Sequence, residues 1–508
     1  MEPNLGDSTL GNFSFGVDEV VGDLRLTRQN PRLRLWCRSL EKATPIAQTI
    51  TGTLTDFKSV SLFDCLEQSA QYHYSPDKKE ATSIREVLFE YAVIGDRRIG
   101  SSEKVIDAIE FHLSGATELF DQYSSFHDIF TISSDEVKEL LYKHDCKVKE
   151  ILRDNLISDR DCEQDSCFYV GEHPIVSVFT DPDYIIELQT PVGLFKVKNA
   201  PVRESASSSG YKLENEIRFT LEFDCLLSIK DAVERIDPIT FLFSIFSDHD
   251  FEVFNIRGYC KGVEPYDEEF LIYRYLGRTE LTSERPHRTR RLIKPESNVA
   301  EFNKVLIKWL NSFEEWRQPR EQFFGTYFSE YYSTDRLVKC ANTFDIIPSS
   351  AFGERPELDK ALEEARKQAK SMFKCLPDSL ERQSILGALG RIGTHTLKNK
   401  IRSRVDIINT NLSVDLPDMY LVTDHAVDCR NYYVHGGNKK LDYQENFEIV
   451  MFFIDSLEFI YVVSELIELG WDYENAFRDS GSAHRINEYI RYYPKGLRIL
   501  ESLIASHR

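Results

Sequence analysis

The chain is 508 residues long, with 42% hydrophobic residues and a formal net charge of −21. This length predicts two or three domains with substantial cores. The acidic balance argues against an indiscriminate nucleic-acid binder, because phosphate affinity depends on Lys and Arg contacts. The polar, acidic start MEPNLGDSTLGNFSFG predicts no signal peptide, so we expect a cytoplasmic protein. Acidic residues interrupt the most apolar run, 449–469, which predicts a buried helix rather than a membrane span. Those acids are Asp455, Glu458, Glu465 and Glu468.

The N-terminal half carries mainly strand patterns. Short runs of alternating polar and apolar residues separated by polar turns fill residues 16–75, which predicts antiparallel strands. A helix broken near Pro238 is predicted for SIKDAVERIDPITFLFSIFS. We therefore predict a β-rich domain over 1–295 with inserted helices, and a sandwich as its arrangement. The other predicted elements are strands at 86–95, 167–180, 183–198 and ENEIRFTLEFD, a strand followed by a short helix over 102–122, and a helix over 135–153.

From about residue 298 onward the apolar spacing becomes helical. Successive segments repeat apolar residues at three and four, which is typical of helices that bury one face in a bundle. Prolines separate these segments at positions 348, 356, 377 and 417, where helix boundaries are expected. The fold class predicted is therefore α+β multidomain, with an all-α bundle over 296–508. The longest helices are predicted over 442–469 and 484–505.

Ten cysteines without a predicted signal peptide, and without any CxxC pair, indicate reduced thiols. One group has ligand types that zinc accepts, although its gaps are irregular: His144, Cys146, Cys162 and Cys167. The same residues also fit an acidic loop with unrelated thiols. We expect no metal and no cofactor, with this zinc site as the alternative.

The segment DCRNYYVHGG at 428–437 places Arg430, Asn431 and His435 within six residues. A guanidinium recognises phosphate with a permanent charge, and histidine has the side-chain pKa closest to neutrality, so it moves protons readily. The residues sit near the predicted end of a helix that Gly436 and Gly437 terminate. The set suits cleavage of a phosphodiester. Upstream, an apolar stripe at helical spacing predicts a buried face: Met419, Val422, Ala426, Cys429 and Tyr433.

On an ideal helix Asn431 and His435 share the face opposite the stripe, whereas Arg430 and His435 diverge by about 140°. We therefore expect Arg430 and His435 to meet at one phosphate only if the last turn unwinds or a second copy contributes, and symmetric dimerisation is the simple solution. The alternative is that Arg430 pairs with an acidic neighbour such as Asp424 or Glu448 on a solvated helix. His435 is then an ordinary histidine favoured by the helix dipole.

A basic run without acids extends from Gly387 to Arg404 and continues after the motif. In an acidic chain, RNA has to meet a local patch of this kind. A solvated helix face explains the same charges equally well. The candidate RNA-binding residues are Arg391, His395, Lys398, Lys400, Arg402, Arg404, Lys439 and Lys440.

The chain resembles the ApeA-type HEPN domain over two successive segments, VDCRNYYVHGG and LDYQENFEIVMFFIDSLEFIYVVSELIELG. The hallmark of that domain is an Arg, four to six residues and a His, with a polar residue after the Arg, and Arg430, Asn431 and His435 match those positions. In bacterial anti-phage proteins a β-rich N-terminal domain accompanies this HEPN domain. Two upstream segments are similar to that domain, ITGTLTDFKSVSLFDC and EVLFEYAVIGDRRIG. The two matches occur in the expected order.

This resemblance implies a metal-independent endoribonuclease in which the ribose 2′-hydroxyl attacks the adjacent phosphate and leaves a cyclic phosphate. His435 would be general base or acid, Arg430 would stabilise phosphoryl charge, and Asn431 would orient His435 or donate to the phosphate. A structured RNA such as tRNA would be the substrate, and its cleavage would arrest growth during phage infection. The protein would form a homodimer through the helical domain, and the N-terminal domain would bind a phage-derived trigger. The alternative is a non-catalytic HEPN dimer that binds a nucleotide or a partner.

Overall fold

The structure is a computed structural model of the chain. It describes residues 8–15, 18–27, 31–37, 48–75, 80–120, 126–154, 170–203, 212–260, 268–275, 287–295, 298–329, 331–353, 359–393, 395–436, 439–473 and 482–506. Strands occupy the first part of the chain and helices the rest, so the predicted α+β class is confirmed.

Sixteen strands are described in the N-terminal part. They are β1 Ser8–Phe15, β2 Asp18–Arg25, β3 Arg32–Cys37, β4 Thr49–Leu54, β5 Ser59–Phe63, β6 Leu66–Ser75, β7 Glu80–Leu88, β8 Tyr91–Gly95, β9 Ile106–Leu113, β10 Phe126–Ile129, β11 Val176–Phe179, β12 Tyr184–Thr190, β13 Gly193–Arg203, β14 Leu213–Leu227, β15 Val253–Cys260 and β16 Glu268–Arg274. Four helices accompany them: α1 Ala116–Leu119, α2 Ser134–Asp154, α3 Ile229–Glu234 and α4 Asp237–Ser247.

Fourteen of the strands form one sheet rather than the two sheets of a sandwich, so that expectation was wrong. The order is β12-β13-β14-β9-β15-β16-β8-β5-β4-β1-β2-β3-β7-β6, and β10 pairs with β11 separately. Buried and exposed side chains alternate along the strands, as the sequence predicts. In β3, Leu33, Leu35 and Cys37 are buried while their neighbours are not. The sheet contributes to two apolar cores, one under the strands around β1 to β4 and one under β9 and β12 to β16.

Several strand boundaries differ from the sequence predictions. The predicted strands at 86–95 and 183–198 each span parts of two strands, and the second is a hairpin that turns at Gly193, whose φ of 135° favours glycine. Within 167–180 only Val176–Phe179 is a strand, and 167–169 lie outside the described residues. β1, β10, β15 and β16 were not predicted. The helix over 135–153, the strand and helix within 102–122, and the break near Pro238 are confirmed.

The C-terminal part is helical, as predicted. Its helices are α5 Val299–Asn311, α6 Phe313–Tyr327, α7 Thr334–Asp345, α8 Lys360–Lys374, α9 Leu380–Arg391, α10 Leu397–Asn411, α11 Met419–His435, α12 Phe447–Leu469 and α13 Arg485–Ser506. The predicted helix over 442–469 begins only at Phe447, because residues 443–446 form turns. None of the described helices has the length and apolar character needed to cross a membrane.

Acidic residues on α12 explain how this apolar helix is held in the bundle. Glu465 accepts from Arg320 Nε at 2.7 Å, and Glu458 accepts from Arg336 Nε at 2.8 Å and Nη2 at 2.9 Å. Glu468 accepts from Arg404 Nη1 at 2.6 Å. Each carboxylate that interrupts the apolar run thus meets a guanidinium, except Asp455, which accepts from the Tyr332 hydroxyl at 2.8 Å. The helix is buried, and its charges are paired inside the protein.

The sheet and the helices share one apolar core, which runs from β9 and β14 through α3 and α4 to α12 and α13. Polar contacts cross the same boundary. The indole Nε1 of Trp309 donates to the Pro238 carbonyl at 2.8 Å, and Arg485 at the start of α13 pairs with Asp248 at the end of α4. Packing and polar contacts therefore join α5 and α13 to the β-rich part.

Candidate active site

Helix α11 presents the Arg-Asn-His set at its C-terminal end. Met419, Val422, Ala426 and Cys429 are buried as the apolar stripe predicts, and Tyr433 is half-buried against Tyr443. Gly436 caps the helix in the left-handed conformation with φ 67°, and its N–H donates to the Tyr432 carbonyl at 2.9 Å. This cap ends the helix directly after His435.

The guanidinium of Arg430 is held by hydrogen bonds to neutral partners. Its Nε and Nη2 donate to the Oδ1 of Asn342 on α7, at 3.0 and 2.6 Å. Its Nη1 donates to the Oδ1 of Asn431 at 2.9 Å and lies 3.4 Å from Nε2 of His435. Because a guanidinium only donates, the imidazole Nε2 can take part in a hydrogen bond with Arg430 only as the acceptor.

Arg430 and His435 therefore meet within one chain. The expectation that their contact needs an unwound turn or a second copy was wrong. An angle of about 140° on an ideal helix describes the direction of the Cβ atoms, whereas the arginine side chain has enough rotatable bonds to carry its charged group around the helix surface. The contact with Asn342 directs it toward His435.

The charge of Arg430 has no carboxylate partner among the described residues. The acids proposed as its partners are placed elsewhere: Asp424 accepts from Arg402 at 2.5 Å, and Glu448 is exposed without an ion pair to Arg430 in the described part of the chain. The expected pairing of Arg430 with either of these acids was therefore wrong. An amide oxygen satisfies a donor but leaves the unit positive charge in place, so Arg430 retains its attraction for an anion such as phosphate.

The site is open to solvent on the His435 side. His435 is exposed, while Arg430 and Asn431 are half-buried. Neighbouring groups offer less chemistry: burial raises the pKa of the Cys429 thiol to about 12, so it is no nucleophile near neutral pH. Burial also lowers the pKa of His425, the other histidine of α11. Of the two imidazoles on α11, His435 is the one that solvent and a substrate can reach.

The candidate RNA-binding residues divide into paired, buried and open side chains. Lys398 pairs with Asp428 at 2.8 Å and Lys439 with Asp442 at 2.6 Å, as Arg402 does with Asp424. Lys400 donates to the Asp345 carbonyl, and half-buried His395 lies beside the ring of Phe352. Lys440 is exposed. Arg391 ends α9, and its side chain lies outside the described residues.

Arg404 does not belong to a surface patch, which corrects its assignment. Its side chain is 1% exposed, its Nε donates to Ser464 at 2.9 Å, and its Nη1 pairs with Glu468. In the sequence it looks like its basic neighbours. It differs from them because α10 turns that position toward α12.

The proposed zinc ligands cannot be compared as a set. His144 is exposed on α2, whereas the side chain of Cys146, and Cys162 and Cys167, lie outside the described residues. Among the described side chains, no group of three metal-binding types comes together. The zinc site stays an expectation.

Asn342 is the site residue that the sequence did not reveal. It lies on α7, which buries Leu337, Cys340, Ala341 and Phe344 and leaves Asn342 on the side that faces α11. Nothing in its local pattern distinguishes it from an ordinary polar residue on an amphipathic helix. Only the packing of α7 against α11 assigns it to the site.

A β-rich part followed by a helical part with an Arg-Asn-His helix end defines a HEPN-domain protein. The family model described as ApeA N-terminal domain 1 matches residues 10–159 and 174–309, and the model Apea-like HEPN matches 338–475. Together they span well over half of the chain, which therefore belongs to the ApeA family of HEPN-domain defence proteins. Comparison with the curated proteins and with the solved structures gave no match. HEPN domains are generally nucleases that bind RNA and dimerise.

Proposed function

We propose that the chain is a metal-independent endoribonuclease that cleaves structured RNA, with tRNA as the substrate class implied by the resemblance. The observation that supports this most is the contact between Arg430 and His435 at the open end of α11, with amide oxygens as the other partners of the guanidinium. The site combines a proton carrier with an uncompensated cation. RNA supplies the nucleophile itself, because its 2′-hydroxyl lies next to the phosphate.

In the proposed reaction the 2′-oxygen attacks the adjacent phosphorus. A bond from O2′ to phosphorus forms, the bond from phosphorus to O5′ breaks, and the products carry a 2′,3′-cyclic phosphate and a 5′-hydroxyl. His435 takes the proton of the 2′-hydroxyl or delivers one to O5′. Arg430 stabilises the charge that gathers on the phosphoryl oxygens, and Asn431, already bonded to Arg430 Nη1, holds it in place.

We further propose a division of labour between the two parts of the chain. Residues 1–295 would sense a phage-derived trigger or select substrate, and residues 296–508 would form the nuclease domain and the homodimer. Cleavage of host RNA in the cytoplasm would then stop growth of the infected cell. The direct attachment of α13 to α4 through Arg485 and Asp248 supports communication between the parts.

The test is to sequence the RNA ends formed in cells that express the wild type, His435→Ala or Arg430→Ala. We expect cleavage ends with the wild type only, with activity lowered by roughly 100-fold or more in each variant. Lys495→Ala, a change of an exposed lysine on α13 outside the candidate site, is the matched control. Retained cleavage in excess EDTA would support the metal-independent reaction. Unchanged cleavage by folded His435→Ala protein would contradict the proposal.

A second candidate is a HEPN dimer that binds a nucleotide without cleaving it. Three nitrogens of Arg430 already bond to other residues, which suits a static binding site. In that case the wild type would bind RNA or nucleotides through Arg430 and produce no new RNA ends.

A further inference from the structure

Helices α8 and α9 form a hairpin that starts and ends beside the candidate active site. The hairpin follows α7, whose last turn carries Asn342, and it leads into α10, whose first turn carries Lys398. Asn342 accepts from the guanidinium of Arg430. Lys398 pairs with Asp428 of α11 at 2.8 Å, two residues before Arg430. Both ends of the hairpin therefore lie at the end of the helical bundle that holds the Arg-Asn-His set.

The hairpin is held in shape by its own hydrogen bonds. Arg382 of α9 donates to the carbonyls of Phe373 and Lys374 at 2.8 and 2.9 Å, which closes the last turn of α8. Near the base, Arg366 of α8 donates to the carbonyl of Ile392, just after α9, at 2.7 Å. The 15 residues of α8 span about 22 Å. The hairpin is thus a preformed arm rather than a loose connection.

The surface of α8 carries a row of three exposed lysines. Lys367, Lys370 and Lys374 recur at spacings of three and four, so they lie on one face of the helix, and we call them the α8 lysine row. Lys370 and Lys374 have no carboxylate partner within the part of the chain that the structure describes. Lys367 pairs only with Glu363, at 3.2 Å and in solvent, where such pairs are weak. The row therefore offers its charge to a ligand.

The α8 lysine row differs from the cations of α10 and belongs to a strongly basic stretch. Lys398 and Arg402 pair with aspartates of α11, and Arg404 is buried. Residues 365–404 contain ten basic and two acidic residues, although the whole chain has a net charge of −21. A polyanion is attracted to this stretch and repelled by the acidic remainder. A location beside a site suited to phosphate favours RNA over an acidic protein as the ligand.

We propose that the α8 lysine row is a phosphate-binding surface for structured RNA, which holds the part of the substrate that extends beyond the cleaved linkage. This inference rests on the proposed function and adds a contact to the same substrate outside the catalytic residues. Lysines bind phosphates of any sequence, so the row selects by length and shape. The row begins about 10 Å from the start of α8, so only an RNA several nucleotides long reaches both the row and His435.

The first test measures binding of a labelled tRNA transcript by fluorescence anisotropy, in a His435→Ala background that leaves the RNA intact. Replacement of the whole row by alanine should weaken binding by roughly tenfold or more, and the slope of log affinity against log salt should become shallower by about 2 to 3. Alanine favours the helix, so α8 keeps its fold. The row variant is Lys367→Ala with Lys370→Ala and Lys374→Ala.

A charge-matched control separates the row from the net charge. It removes three exposed lysines of α2 and α13 and should bind the tRNA as the parent does: Lys138→Ala with Lys143→Ala and Lys495→Ala. Arginine at the three row positions should preserve the affinity. An equal loss in the row variant and the control, or no loss in either, would overturn the inference. Row-dependent binding to vesicles of anionic lipid with unchanged RNA binding would assign the row to a membrane surface and would also overturn it.

The second test is cleavage of the same tRNA by protein with His435 intact. In the row variant KM should rise roughly tenfold, and kcat should change by less than about twofold, because the row binds RNA and touches no reacting atom. A fall in kcat with an unchanged KM would contradict a binding role. If the wild type cleaves no RNA, the nuclease proposal fails, and the anisotropy measurement still decides the α8 lysine row.

Discussion

Two regions of the helical part use arginine in opposite ways. Three arginines that face α12 have side chains that are only 1 to 6% exposed, and each pairs with a glutamate of that helix: Arg320, Arg336 and Arg404. At the end of α11, Arg430 is half-buried and bonds to the amide oxygens of Asn342 and Asn431 instead. The same side chain is thus neutralised in the first region and only oriented in the second.

The difference shows what separates a structural arginine from a functional one. A buried ion pair compensates two charges that would each be costly alone, and removal of one partner destabilises the fold. An amide partner fixes the geometry of the guanidinium without cancelling its charge, which leaves the attraction available to a substrate phosphate. Substitutions can remove an arginine from its carboxylate partner, or replace the amide partner of Arg430 by a carboxylate.

The largest effect on stability is expected from Arg336→Met. This change leaves Glu458 buried without its bidentate partner, and loss of one partner of a buried pair costs about 3–5 kcal/mol. Urea unfolding monitored by circular dichroism measures the loss. Arg430→Met should cost less than about 1 kcal/mol, because no buried carboxylate is left behind. A double change, Arg336→Met with Glu458→Leu, should recover most of the stability; equal losses for Arg336 and Arg430 would contradict the comparison.

Removal of the support from α7 should reduce activity more than stability. Asn342→Ala deletes the acceptor for Nε and Nη2 of Arg430, and a displaced catalytic group typically lowers the rate by roughly 10- to 100-fold. The rate constant for RNA cleavage under saturating enzyme should fall while the affinity for RNA changes little. If Asn342→Ala cleaves like the wild type, Asn342 has no positioning role.

The buried histidine His484 should make the stability of the fold depend on pH. His484 is fully buried, its Nε2 donates to the Ile245 carbonyl at 2.8 Å, and its Nδ1 accepts from the Ile486 N–H, so the neutral form is held. Burial lowers the pKa of His484 from 6.5 to about 4. The folded state then binds fewer protons than the unfolded state between these values, so its stability is complete above pH 6.5 and falls as the pH drops toward 4.

The expected loss is about 2 kcal/mol between pH 7 and pH 5. His484→Gln, which keeps an amide donor for Ile245 and does not titrate, should remove most of this slope. Urea unfolding of the wild type and the variant at the two pH values is the measurement. An unchanged slope in His484→Gln would assign the pH dependence to other groups.

The smallest effects are expected at the paired cations of α10. Lys398 and Arg402 already pair with Asp428 and Asp424, so removing each should weaken RNA binding by less than about threefold, as for exposed ion pairs in general. Fluorescence anisotropy with a labelled RNA at several salt concentrations is the measurement. A large loss for either would show that RNA displaces the aspartate.

Local patterns predicted the helices well and the site only in part. The stripe on α11, its glycine cap and the open histidine follow from residues within one helix, so the sequence was sufficient for them. Asn342 lies 88 residues before Arg430, and only tertiary packing joins them. Arg404 was misassigned for the same reason, since its burial depends on Ser464 and Glu468 of α12.

In the β-rich part the boundaries were the weak point. The alternating pattern identifies strand character, but it continues through the tight turn at Gly193, so a hairpin looks like one strand. The register and the joining of fourteen strands into one sheet depend on hydrogen bonds between distant segments. No local pattern contains that information.

The most direct test of the central claim is the rate of RNA cleavage by Asn342→Asp. Aspartate has the shape of asparagine and still accepts from Nε and Nη2 of Arg430, but it adds a carboxylate partner of the kind that α12 gives to Arg320, Arg336 and Arg404. We predict that cleavage falls by roughly 100-fold or more, while urea unfolding shows a fold at least as stable as the wild type. Cleavage at the wild-type rate by Asn342→Asp would show that the uncompensated charge of Arg430 is not what the reaction uses.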